Sequence, residues 1–211
     1  MTKLASRLRL VTLVAAVLAH AAGGCATSGS GSAAHVPRTG LKAADYYPLA
    51  EGWKWAYDLE KDGQKILAVY AVVDALPDRA TIMTGEEKLD YAISPDGIAQ
   101  LETIGAGDFI LKNPIAKDAT WTVAGGSAKI VSTTDEITTD AGHFYDCAVV
   151  EVTRVDPKRV VRTTFAPDVG PVAIEVQVED AGKMIVTTRA KLRSITRPGE
   201  DPFGMPKPKA P

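Results

Sequence analysis

Two cysteines and three histidines are the most reactive side chains in this 211-residue chain, and their positions limit its chemistry. His20 and His35 sit near the N-terminus, so a Ser-His-Asp or Cys-His arrangement has only His143 to use. Cys147 lies four residues further on. Four residues of extended chain cover about 13 Å, so the two side chains do not meet locally. His143, beside Asp140-Ala141-Gly142, reads as an exposed turn residue. Cys147, flanked by Tyr145 and Val149, reads as a buried small hydrophobe. One histidine and one cysteine do not make a zinc site. Asp135, Glu136 and Asp140 offer oxygens to calcium, but their spacing is not that of an EF-hand loop, and solvated strand-end carboxylates are the simpler reading. No phosphate-binding loop or G-x-S-x-G elbow is present. No catalytic residue, metal site or cofactor is therefore assigned.

Cys25 differs because of what precedes it. Lys3, Arg7 and Arg9 give a positive start, the run Leu10 to Ala19 is apolar, and Ala22-Gly23-Gly24 leads to the thiol. That order is a secretory signal peptide, with an apolar run too short to span a bilayer, which needs about 20 residues. The cysteine at the cleavage point resembles the lipobox of bacterial lipoproteins, in which the thiol is acylated and becomes the new N-terminus. Gly24 fits that pattern, while Ala22 stands where a larger aliphatic is usual. The resemblance implies a membrane anchored through Cys25. With Ala26 rather than Asp next, it also implies the outer membrane of double-membraned cells. Two or more acyl chains hold a membrane stably at about 0.8 kcal/mol per buried methylene.

Composition agrees with an exported domain on a tether. Thr27-Ser28-Gly29-Ser30-Gly31-Ser32 is a polar linker, and a coil from Ala26 to Ala44 spans about 25 Å root-mean-square. The expected division is 1–24 signal peptide, 25–44 lipidated cysteine and tether, 45–197 one folded domain, and 198–211 a proline-rich tail with little to bury. Removing 1–24 takes away Lys3, Arg7, Arg9 and no acid, moving the formal charge from -2 to -5. A mildly acidic chain without a basic cluster is a poor partner for nucleic acid or anionic lipid.

The domain reads as strands. Trp53, Trp55, Tyr57 and Leu59 alternate with Lys54, Ala56, Asp58 and Glu60, the period of a half-buried strand. Asp62-Gly63 signals a hairpin into Lys65 to Ala75. Further strands are expected over 80–84, 89–94, 98–104, 121–123, 128–138, 145–155, 159–165, 172–178 and 184–195. Turns such as Pro95-Asp96-Gly97 and Asp180-Ala181-Gly182 separate them. Val172, Ile174, Val176 and Val178 share one face against Glu175 and Gln177. Short turns predict a mainly β, single antiparallel meander: a curved sheet, open barrel or sandwich.

Two stretches carry a further resemblance. Tyr46-x-Pro48-Leu49-x-x-Gly52-x-x-Trp55-x-Tyr57 is similar to the opening of a group of bacterial lipoproteins and secreted β-rich proteins. Ala166-Pro167-Asp168-Val169-Gly170-Pro171-Val172 is similar to an APGVG-like turn later in the same proteins, with Asp168 where glycine is usual. The resemblance implies a β-rich envelope protein and supplies no catalytic residue. Trp53, Trp55 and Tyr57 serve either as core or as an aromatic strip for a sugar or lipid. The expected function is a lipid-anchored, non-catalytic β domain that binds an envelope protein or hydrophobic ligand, or supports an assembly. The alternative is a hydrolase of an envelope polymer using two of the 26 acidic residues.

Overall fold

Alternation of large and polar residues along short segments leaves antiparallel pairing as the way to bury one face of each. The computed structural model describes residues 35–101 and 107–200. After a single helical turn, α1 (Ala43–Tyr46), come β1 (Lys54–Lys61), β2 (Gln64–Leu76), β3 (Arg79–Thr84), β4 (Glu87–Ser94), β5 (Gly97–Leu101) and β6 (Asp108–Lys112). The second half holds β7 (Thr120–Val123), β8 (Gly126–Thr139), β9 (Gly142–Val155), β10 (Lys158–Ala166), β11 (Gly170–Asp180) and β12 (Lys183–Thr196). Each expected strand has its counterpart, the one expected over 98–104 as far as Leu101, with 102–104 outside the described residues. β6 was not expected, because its residues are partly buried on both faces and show no period of two.

The twelve strands form one antiparallel sheet in the order β6-β5-β4-β3-β2-β1-β12-β11-β10-β9-β8-β7. Each half is a meander, the halves join where β1 pairs with β12, and the sheet rolls into a nearly closed barrel. The seam lies between β6 and β7, which are consecutive in the chain but not laddered. Side chains bridge it. Trp121 Nε1 donates to the Phe109 carbonyl at 2.9 Å, and the Ala124 amide donates to Asp108 at 2.8 Å. These contacts tie the two sheet edges together at 108–109 and 121–124 without a ladder between them.

Register is pinned on the outer face by charge. Lys129, Glu151, Arg162, Glu175, Arg189, Glu60 and Lys65 stand opposite one another in turn across β8, β9, β10, β11, β12, β1 and β2. Signs alternate along the whole row, and the Arg162–Glu151 and Arg189–Glu175 contacts are both 3.1 Å. Directly opposed unlike charges favour this pairing, and a slip of one residue would abolish it. Hydrogen bonds from Gln177 and Arg189 hold the Glu175 carboxylate below its ordinary pKa. Glu175→Lys, which places three cations side by side, is expected to cost about 1 kcal/mol. Urea unfolding measures this, and molar salt should shrink the loss by screening.

One end of the barrel is filled by the chain entering it. Tyr47 is buried and touches inward rings from both halves: Trp55 of β1 at 5.6 Å, Tyr91 of β4 at 5.9 Å and Phe165 of β10 at 6.0 Å between centroids. Asp168 N donates to the Asp45 carbonyl at 2.7 Å, Trp55 Nε1 to that of Val169 at 2.6 Å, and Tyr57 Oη to that of Pro171 at 2.7 Å. The two stretches set apart in the sequence are therefore one joint.

Residues 35–44, placed by sequence in the tether, are also bound to the barrel. His35 Nε2 lies 2.8 Å from Asp146, the Arg38 amide donates to the same carboxylate at 2.9 Å, and Ala43 N donates to Asn113 at 2.9 Å. The Arg38 guanidinium pairs with Asp168. Composition cannot reveal this docking, because the partners lie more than a hundred residues away for His35 and Arg38. The signal peptide, Cys25, the linker 26–34 and tail residues 201–211 lie outside the described residues.

Gly170 makes the joint close, with φ +108° and a would-be Cβ 3.2 Å from both Trp55 Nε1 and Tyr47 Cδ2. Gly170→Ala is expected to cost about 2–3 kcal/mol in thermal or urea unfolding, combining backbone strain with overpacking. Gly182→Ala, at φ +79° with open space around it, should cost less.

Candidate functional site

On the inner face, pairing brings Val150 and Val152 of β9 beside Val161, Thr163 and Phe165 of β10, with Ile174 of β11 next to them. These residues, with Phe109 and Ile110 of β6 and Val123 of β7, line a cleft of about 370 Å³ on the concave side of the seam. That volume falls within the range of about 300–1,000 Å³ usual for small-molecule sites, and its walls are mostly apolar, as such sites usually are.

Polar groups gather at one end. Gln100, Asp108, Arg154 and Arg159 complete the lining, near the turn between β9 and β10. Asp108 is already engaged: it accepts from the Ala124 amide and lies 3.3 Å from Arg154. Arg154 and Arg159 stand directly opposite each other in the ladder. Like charges so placed repel. Among the described residues this is the one directly opposed pair of like charge in the sheet.

A larger recess, about 720 Å³, lies where the turn Thr138–Asp140 approaches β1, β2 and β12. Its lining takes residues from both faces of β1 and β2, such as Asp58 with Leu59 and Ile66 with Leu67. Arg193 is held by Asp58 at 3.0 Å and Arg189 by Glu175 at 3.1 Å, so much of its charge is matched. Size favours this recess. A mostly apolar wall and an uncompensated charge favour the smaller cleft as the binding site.

The residues that sequence offered as candidates lie elsewhere. Trp53, Trp55 and Tyr57 are in the core, with Trp53 and Trp55 stacked at 5.7 Å and Arg197 over the Trp53 ring. His143 is exposed, bonded to Thr138 Oγ1 at 2.7 Å and 3.4 Å from Glu136, while its ring meets Tyr145, on which His35 also stacks. Asp135 stands opposite Cys147 in the ladder, and Asp140 lines the larger recess. The carboxylates whose acidity is displaced, Asp90, Asp118 and Glu175, are all lowered, first by hydrogen bonds from Thr81, Lys129 and Gln177. A general acid for sugar hydrolysis requires the opposite shift.

Sequence reading missed Arg154 and Arg159, although a signal existed. In β9, Arg154 continues the parity of Val150 and Val152; in β10, Arg159 continues that of Val161 and Phe165. A cation prolonging an apolar face on two successive strands marks a polar group pointing inward.

Cys147 is fully buried, and desolvation, helped by the nearby Asp135 charge, pushes its thiol up to about 12. Burial likewise raises Tyr46 and Tyr91 to about 12. In each case the folded state keeps a proton that the unfolded state releases. Their contribution is complete below pH 9.0, the ordinary value for the thiol, and is lost as pH rises towards about 12. Stability by chemical unfolding should therefore fall steeply across that alkaline window. At neutral pH a thiol reagent should leave Cys147 unmodified in the folded protein and label it after denaturation.

No family model matches the chain, and no curated protein matches it. Two solved structures are similar in fold search. One is the crystal structure of a "putative exported protein with YmcC-like fold" from Bacteroides fragilis NCTC 9343, 16% identical, TM-score 0.48, covering 72% of this chain and 99% of that one. The other is a "putative lipoprotein" from Parabacteroides distasonis ATCC 8503, 16% identical, TM-score 0.40, covering 74% of this chain and 100% of that one.

Proposed function

We propose that this chain is a lipid-anchored protein of the cell envelope whose barrel holds an envelope component without transforming it. The concave, mostly apolar cleft beside the seam is the observation that carries the binding part of this reading. The basic start, apolar run and small residues before Cys25 support the anchor, and Ala26 supports the outer membrane as its destination. The similarity of the Tyr46–Tyr57 and Ala166–Val172 stretches to envelope lipoproteins points the same way.

Two experiments test the two halves separately. Cys25→Ser should abolish fatty-acid labelling and release the protein from membranes on fractionation; labelling that persists overturns the anchor. Solvent extraction of natively purified protein, followed by mass spectrometry, should return a bound small molecule in near-stoichiometric amount. Repeatedly empty extracts overturn the binding reading.

A further inference from the structure

The outer face of the sheet alternates charge across seven strands, whereas the inner face breaks the same rule at one place, the Arg154–Arg159 pair. Both arginines line the end of the apolar cleft, and Asp108 answers only Arg154. Among the described residues, Arg159 makes no ion pair. Two arginines opposed in the ladder at the end of a hydrophobic slot fit an anion carried on an apolar tail. Guanidinium forks match carboxylate or phosphate oxygens in pairs.

We propose that the cleft binds a single-chain anionic amphiphile. Its carboxylate or phosphate head lies between Arg154 and Arg159, and its acyl chain lies along Val152, Val150, Val161 and Ile174 towards Phe165. The head relieves the repulsion between the two cations, and the tail covers the apolar wall. This deepens the binding reading above and rests on it.

The test uses the intact protein in isolated membranes and a photoreactive diazirine analogue of laurate. Label is expected on residues of β9, β10 and β11 that line the cleft. It should fall about tenfold in Arg159→Gln, the loss of one charged hydrogen-bond partner, at probe levels below saturation. Arg162→Gln, on the outer face of the same strand, should label like the natural chain, and matching melting curves establish that the variants are folded. Excess laurate or lauroyl lysophosphatidate should compete, and whichever is stronger identifies a carboxylate or a phosphate head. Dodecanol, with a comparable tail and no charge, should compete at least about tenfold less well. Label outside the cleft, equal label in Arg159→Gln, or equal competition by dodecanol overturns the proposal. An extract that still yields a bound molecule then retires the amphiphile alone, whereas an empty extract retires the binding reading with it.

Discussion

Twelve strands rolled into a barrel enclose more space than inward side chains alone can fill; about eight strands is the size that side chains pack solid. Much of this molecule follows from how that excess is handled. At one end the entering chain supplies Tyr46 and Tyr47 as filler, and Tyr47 touches inward rings from both halves of the sheet. The carbonyls of Asp146, Val169 and Pro171 then satisfy the polar atoms of Tyr46, Trp55 and Tyr57, so burying these large rings leaves no hydrogen-bonding group stranded. At the other end the described residues supply no such filler. The space remains as a cleft between β6, β7, β9, β10 and β11.

The two faces of the sheet divide electrostatic work. Outside, unlike charges face each other strand after strand, in half-exposed pairs whose individual worth is small but which together favour a single register. Inside, the charged groups on the cleft rim are few, and there the arrangement costs repulsion rather than removing it. A sheet able to alternate charges over seven strands has no packing reason to set two arginines opposite each other where apolar residues would serve.

Much of this fold is visible in the amino-acid order. The alternation of Trp55, Tyr57 and Leu59, and of Ile174, Val176 and Val178, specifies strands and their inward faces before any pairing is known. The burial of Cys147 follows equally from its neighbours. Three things were not legible. β6 lacks alternation because both of its faces are partly covered. The docking of residues 35–44 depends on Asp146 and Asp168, far along the chain, and no local pattern announces that. The cleft required knowing that β6 and β7 end up as the two lips of one seam. Local periodicity encodes which side of a strand faces inward; which inward sides meet is a property of the closed ring.

The ring also constrains assembly. Every ladder within β1–β6 and within β7–β12 joins sequence neighbours, and pairing at such short separation needs little loop-closure entropy. The pairing of β1 with β12 is different in kind, because it brings Lys54 against Thr196, the two extremities of the domain. Contacts of such wide sequence separation slow the search for the native state. Each half-sheet can zip locally, while the cylinder waits on a single encounter between its first and last strands. Until that encounter, both halves carry a naked edge.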